Sequence, residues 1–163
     1  MILEIFREDI LLKAKKLVCL DRDNTLIRDS GYMGKSAEIQ INDDLLGELL
    51  SQNGDETSFC LVSNQSGIGR GFITFSDVIN LNRKLSSTLS SLGLNLSLSI
   101  FCPHTSEDGC GCRKPKDAML KFVERVHENI DRELSVMYGD RSSDEEAALR
   151  ANFHWKQAPS FFS

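Results

Sequence analysis

Proline is scarce in this chain, with three in 163 residues, and tryptophan scarcer still, with one. No stretch approaches the roughly 18 consecutive apolar residues that span a bilayer. Residues 1–16 interrupt their hydrophobics with Glu4, Arg7, Glu8 and Asp9, so neither a membrane segment nor a secretory leader is expected. Positive charge is short as well: 19 Lys and Arg against 24 Asp and Glu leave a formal net charge of −5. That balance disfavours nucleic acid as a partner, because broad attraction to a phosphate backbone needs surplus cations. Internal repeats and low-complexity stretches are absent. The five cysteines are an odd number, and three crowd into one segment, which favours a metal in a reducing compartment over a disulfide scaffold. The expected location is the cytoplasm. At this length and with 40% hydrophobic residues, the chain can bury one sizeable core and not two, so residues 1–163 are expected to form a single domain.

Glycine supplies most of the punctuation. Residues 16–20 and 59–62 are short apolar runs ending in polar turns and read as buried strands. Residues 94–101 alternate Leu and Ile with Ser and Asn, as in a strand with one face less deeply covered, and residues 134–138 supply a fourth strand. Val78, Leu81, Leu85, Leu89 and Leu92 recur at helical spacing behind Thr74-x-x-Asp77, a capping arrangement. Met119, Phe122, Val123, Val126 and Ile130 predict another helix, and Ser143-x-x-Glu146 leading into Ala147, Ala148 and Leu149 predicts one more. Strands alternating with helices give an α/β fold with a doubly wound, mostly parallel, Rossmann-like sheet. Ligands of such sheets sit beyond the carboxyl ends of the strands.

Polar residues follow each of these strands. After the first comes Asp21-Arg22-Asp23-Asn24-Thr25, where two carboxylates one residue apart can divide nucleophilic and proton-transfer work; an acidic turn with a helix cap is an equal alternative for this triplet alone. After the second, Ser63-Asn64-Gln65-Ser66-Gly67-Ile68-Gly69-Arg70-Gly71 offers a hydroxyl and backbone N–H groups to phosphate oxygens, or is a glycine-rich turn without a ligand. Arg113-Lys114-Pro115 can neutralise a phosphoryl group, or is a solvated basic pair. Gly139-Asp140-Arg141-Ser142-Ser143-Asp144 can hold Mg²⁺ together with Asp21, or caps a helix.

Four such signals in this order resemble the haloacid dehalogenase-like phosphohydrolases, whose motifs run D-x-D-x-T, then Ser or Thr, then Lys, then G-D-x(3)-D. The resemblance covers roughly residues 18–152. It implies that Asp21 is the nucleophile that forms an aspartyl-phosphate, Asp23 the acid and base, Ser63 a phosphate contact and Lys114 a counter-charge. It further implies catalytic Mg²⁺ on Asp21, the Asp23 carbonyl and Asp140, with Asp144 in a supporting role, and substrate contacts from Thr25, Asn64, Gln65, Arg70 and Arg113. No segment is long enough for an inserted cap domain, so a capless, open site is expected. Asn24 and Asn152 stand where glycine is usual in this family, and asparagine tolerates the left-handed backbone.

Cys102, His104, Cys110 and Cys112 offer three sulfurs and one imidazole, a sufficient set for tetrahedral zinc; buried free thiols are the alternative. With four protein ligands the expected zinc is structural, fixing the loop that carries Arg113 and Lys114. Cys19 and Cys60 lie inside strands and read as packing residues. The cluster narrows the resemblance to the subgroup containing histidinol-phosphate phosphatase and D-glycero-D-manno-heptose 1,7-bisphosphate 7-phosphatase, so the expected partner is a small phosphorylated metabolite. Polynucleotide 3′-phosphatases share the Asn-Gln-x-Gly-Ile-Gly-Arg-Gly loop and end in a Phe pair like Phe161-Phe162, but they lack the zinc cluster. Oligomeric state is not legible.

Overall fold

The structure is a computed structural model that describes residues 1–29 and 39–161; Phe162 of the terminal pair lies outside the described residues. Its elements run β1 (Ile2–Ile5), α1 (Glu8–Lys13), β2 (Lys16–Leu20), α2 (Asp43–Ser51), β3 (Thr57–Asn64), α3 (Ser66–Gly69), α4 (Phe75–Ser91), β4 (Leu96–Cys102), α5 (Ala118–Arg125), β5 (Val136–Gly139), α6 (Ser142–Ala151) and β6 (His154–Gln157). They build a six-stranded sheet in the order β1-β4-β3-β2-β5-β6. β2, β3, β4, β5 and β6 are mutually parallel, and β1 runs antiparallel to β4 at one edge. Among the described residues there is one sheet and no helix long and apolar enough to cross a membrane.

Alternation along the strands feeds two cores. Leu17, Cys19, Cys60, Val62, Leu98 and Ile100 point to the face packed by α1, α5 and α6. Val18, Leu20, Phe59, Leu61 and Tyr138 point to the other, packed by α2 and α4. A period of two on strands covered from both sides is what makes each an apolar run and not an amphipathic one. The parallel arrangement leaves the carboxyl ends of β2, β3, β4 and β5 at one end of the sheet, so each motif residue arrives there by construction.

Several elements differ from the sequence reading. β4 is buried along its whole length, with neither face less deeply covered, because Ser97 and Ser99 find partners inside: Ser97 Oγ donates to Phe59 O at 2.9 Å and Ser99 Oγ accepts from Asn82. A buried serine with a partner costs little and does not mark a solvent face. α5 stops at Arg125, so Val126 and Ile130 pack against the core from outside the helix. β5 starts at Val136, after a 3₁₀ turn at Arg132–Leu134. α6 is capped by Arg141 and Asp144, not by Ser143 and Glu146: the Asp144 carboxylate accepts from the Arg141 N–H. Thr74 and Asp77 do form the capping box of α4. Asn24 and Asn152 both sit at φ 59, the left-handed backbone that a glycine would adopt without strain.

His127, just beyond α5, is a buried polar group with a titration consequence. Its Nδ1–H donates to Val123 O at 2.7 Å, so Nε2 accepts the Ser58 hydroxyl at 2.8 Å. Burial pushes its pKa below the ordinary histidine value, against the Val123 bond, which favours the cation. The unfolded chain therefore takes up a proton first as pH falls through about 6.5, so the stability this group provides is full above that value and is lost below it. Denaturant midpoints measured between pH 7.5 and 5.5 are expected to decline more in the parent than in His127→Gln; parallel declines would remove His127 as the cause.

Candidate active site

Asp21 extends the end of β2, its N–H bonded to Tyr138 O at 2.9 Å. The chain then turns back at once, since Leu26 and Ile27 both donate to Arg22 O and Asn24 takes the left-handed position. The turn aims Asp21 at the ammonium of Lys114, which is 3% exposed. Lys114 Nζ lies 2.7 Å from Asp21 Oδ1, 2.7 Å from Val62 O and 2.6 Å from Asp144 Oδ1. All three of its donors are thus used. The Asn64 side chain fixes the backbone of the same lysine: its Oδ1 accepts from Lys114 N at 3.1 Å and its Nδ2 donates to Lys114 O at 3.0 Å.

Asp140 and Asp144 stand at the start of α6, where the free N–H groups of the helix favour anions. One carboxylate oxygen from each of Asp21, Asp140 and Asp144 lies within 4.8 Å of the others. Asp140 Oδ1 is buried and has no hydrogen-bond partner among the described residues. Gly139 makes the cluster possible, because a Cβ there would sit 2.5 Å from the Asp144 carboxylate.

Asp23 is held separately. Arg22 grips it with two parallel bonds, Nε to Oδ1 at 2.9 Å and Nη2 to Oδ2 at 3.0 Å, and Gln65 Nε2 donates to Oδ2 at 2.8 Å. Gln65 Nε2 also reaches Ser63 Oγ at 3.3 Å.

A cavity of about 650 Å³ opens over these groups. Of the predicted site residues, Asp21, Asp23, Asn64, Gln65, Arg70, Arg113, Lys114 and Asp144 line it. Thr25, Ser63 and Asp140 do not: Thr25 is fully buried with its hydroxyl unpartnered among the described residues, and Ser63 lies behind Gln65. Sequence reasoning gave no role to Arg22, Arg141 or the apolar side chains Ile73, Val78 and Leu81, which also line the cavity.

Cys102, His104, Cys110 and Cys112 converge beside this cavity. Cys112 Sγ is 3.2 Å from Cys102 Sγ, 3.4 Å from His104 Nδ1 and 3.7 Å from Cys110 Sγ. Four ligands around zinc, with Zn–S near 2.3 Å and Zn–N near 2.0 Å, stand about 3.4–3.8 Å apart, so the group fits that ion. Burial and the neighbouring Cys112 thiol push Cys102 up to about 12, whereas backbone N–H groups of Arg113 and Cys112 outweigh burial and bring Cys110 down to about 7. The loop also braces the cavity wall: Gln65 N donates to Cys102 O at 2.7 Å, Gly69 N to Pro103 O at 3.0 Å and Arg113 Nη1 to His104 O at 3.2 Å.

The family model described as polynucleotide kinase 3 phosphatase matches residues 16–159. A probable D-glycero-D-manno-heptose-1,7-bisphosphate 7-phosphatase of Thermoplasma acidophilum is 36% identical over 131 residues, covering 77% of this chain and 78% of that one. A D-glycero-beta-D-manno-heptose-1,7-bisphosphate 7-phosphatase of Helicobacter pylori is 34% identical, covering 86% and 81%. Among solved structures, a D,D-heptose 1,7-bisphosphate phosphatase of B. bronchiseptica complexed with magnesium and phosphate superposes with a TM-score of 0.75 at 29% identity, over 86% of this chain and 78% of that one. The chain belongs to the haloacid dehalogenase-like phosphatases. It is a phosphoric monoester hydrolase.

The electrostatics of this phosphatase are those of an acidic cluster built around one cation. Burial raises the Asp21 carboxyl to about 7, with Asp144 and Asp23 adding to the effect and Lys114 opposing it. Burial likewise raises Asp140. For Lys114 burial favours the neutral amine, but Asp21 and Asp144 outweigh it and keep the ammonium charged. Asp23 moves the other way: burial opposes ionisation, yet the Arg22 guanidinium and the Gln65 amide hold it below the usual carboxylate range. Two aspartates two residues apart in sequence thus occupy opposite environments.

Proposed function

We propose that this phosphatase removes the 7-phosphate from D-glycero-D-manno-heptose 1,7-bisphosphate by way of an acyl-phosphate on Asp21. The observation that carries the reading is the buried Lys114–Asp21 pair beneath a cavity also lined by Arg70, Arg113 and Arg141. A substrate with two phosphates needs cations beyond the one committed to the reacting group. Histidinol phosphate, whose other end is itself cationic, gains nothing from them. Relatives named for the heptose bisphosphate also match over most of their own length, whereas the Campylobacter jejuni histidine biosynthesis bifunctional protein HisB matches over 38% of its length.

In this mechanism Asp21 attacks phosphorus, Lys114 offsets charge on the nucleophile and the phosphoryl oxygens, and Asp23 gives a proton to the departing alcohol. Water then attacks phosphorus with Asp23 as base and frees Asp21. Asp21, Asp140 and the Asp23 carbonyl would hold Mg²⁺, for which the unpartnered Asp140 Oδ1 is a fitting ligand, with Asp144 behind them; when bound, the ion stabilises negative charge on the phosphoryl group. Asn64 positions Lys114, Gln65 positions Asp23, and Ser63 acts through Gln65. Thr25 would support the turn from beneath. Cys102, His104, Cys110 and Cys112 would hold a structural zinc. We read the chain as one capless domain working in the cytoplasm, where its thiols stay reduced.

A second reading, a polynucleotide 3′-phosphatase, is favoured by the description of the family model that matches. Turnover compared on heptose 1,7-bisphosphate, histidinol phosphate and a 3′-phosphorylated oligonucleotide, with magnesium present, separates the three. The highest kcat/KM is expected on the heptose bisphosphate; a preference for the oligonucleotide would overturn the assignment.

A further inference from the structure

Arg22 occupies the unspecified position of D-x-D-x-T, and its guanidinium is enclosed: the residue is 5% exposed. Besides its two bonds to Asp23, Nη2 donates to Gln65 Oε1 at 2.8 Å and Nη1 to Asn82 Oδ1, on α4, at 3.1 Å. Four of its roughly five N–H groups are therefore assigned. Asn82 is itself buried, and its amide reaches Ser99 Oγ on β4, so the guanidinium plane is fixed from the sheet and the helix together. On the other side, an ionised carboxylate offers about four lone-pair positions. Arg22 fills one on Oδ1 and one on Oδ2, and Gln65 fills the second on Oδ2.

We infer that Arg22 is a positioning residue which, with Gln65 and Asn82, turns Asp23 so that, among the described residues, only Oδ1 keeps a lone pair free to carry the shuttled proton. This rests on the acid and base role proposed for Asp23. As the Asp21–phosphorus bond forms and the phosphorus–ester oxygen bond breaks, the proton on Oδ1 passes to that oxygen, which leaves as an alcohol. A water oxygen then bonds phosphorus, the Asp21–phosphorus bond breaks, and the proton of the water returns to Oδ1. The fork sets direction in both halves. A lysine in its place keeps the charge and loses the fork.

Departure of an alkoxide needs that proton, whereas p-nitrophenolate leaves without one, and kcat/KM covers only the steps through that departure. Arg22→Lys, Arg22→Met, Asn82→Ala and Asp23→Asn are measured on p-nitrophenyl phosphate and on whichever ester of the three-substrate panel is turned over fastest. Both Arg22 variants are expected to lose about 10²-fold in kcat/KM on the alkyl ester while staying within about threefold on p-nitrophenyl phosphate. Asn82→Ala should show the same selectivity at smaller size, and it keeps the test open should an Arg22 variant fold poorly. Equal losses on both esters, or none on either, would overturn the inference. If Asp23→Asn is selective and the Arg22 variants are not, this inference alone falls. If Asp23→Asn shows no selectivity, the acid and base assignment falls and this one with it.

Discussion

Asp21→Asn is expected to lose turnover by on the order of 10⁴-fold or more, since an amide cannot form the acyl-phosphate. The same change should leave the fold intact. Asp21 is a buried carboxylate whose burial and acidic neighbours oppose its charge, and Lys114 retains Asp144 and Val62 O as partners. Thermal midpoints of parent and variant should accordingly agree to within about 1 kcal/mol of stability, because removing one charge from an over-acidic cluster costs little. Steady-state assays with magnesium, beside a calorimetric or dichroism melt, check both halves. A variant hydrolysing phosphate esters at the parent rate removes Asp21 as nucleophile.

Stripping zinc should have the next largest effect, and on two walls of the cavity at once. The loop of residues 102–112 holds Gln65 and Gly69 through its carbonyls and Arg113 through His104 O. Gly69 has no slack, since a Cβ there would meet Pro103 O at 3.0 Å and Thr105 Cγ2 at 3.1 Å. Release of the loop displaces both Lys114 and Gln65, and a shift of about 1 Å in positioning groups costs on the order of 10²-fold in rate. Protein purified without chelator should carry about one equivalent of zinc, held by roughly 10 kcal/mol or more as in other structural sites. Chelation should depress kcat/KM while the far-ultraviolet dichroism of the sheet persists. Unchanged kinetics after complete removal would refute the brace.

Much of the site was legible because parallel topology converts sequence order into position: whatever follows a strand lands at its carboxyl end. Asp21, Asn64, Lys114 and Asp140 could be placed that way with no knowledge of packing. The convergence of Cys102, His104, Cys110 and Cys112 was legible for another reason, since three thiols and an imidazole within eleven residues have few other uses. What escaped were groups whose role depends on a partner distant in sequence. Arg22 has no evident role until Asn82 arrives from α4, and Ser97 and Ser99 read as a less deeply covered face until Ser58 and Asn82 enclose them. The Thr25 hydroxyl went the opposite way, placed in the cavity by its motif and beneath the turn by the backbone. β1 and α2 were missed because four and nine residues give a period little room to repeat.

The ammonium of Lys114 joins segments of very different age in the growing polypeptide. Asp21 leaves the ribosome first, Val62 and Lys114 follow in turn, and Asp144 comes after all three. Translation proceeds from the amino terminus, so a nascent chain that reaches past Lys114 but not to β5 holds Asp21 and a lysine still lacking its second carboxylate, with β5 not yet in place beside β2. The acidic cluster is therefore complete only once residue 144 has emerged, and a fragment that stops before it has most of the sheet but no finished floor to the cavity.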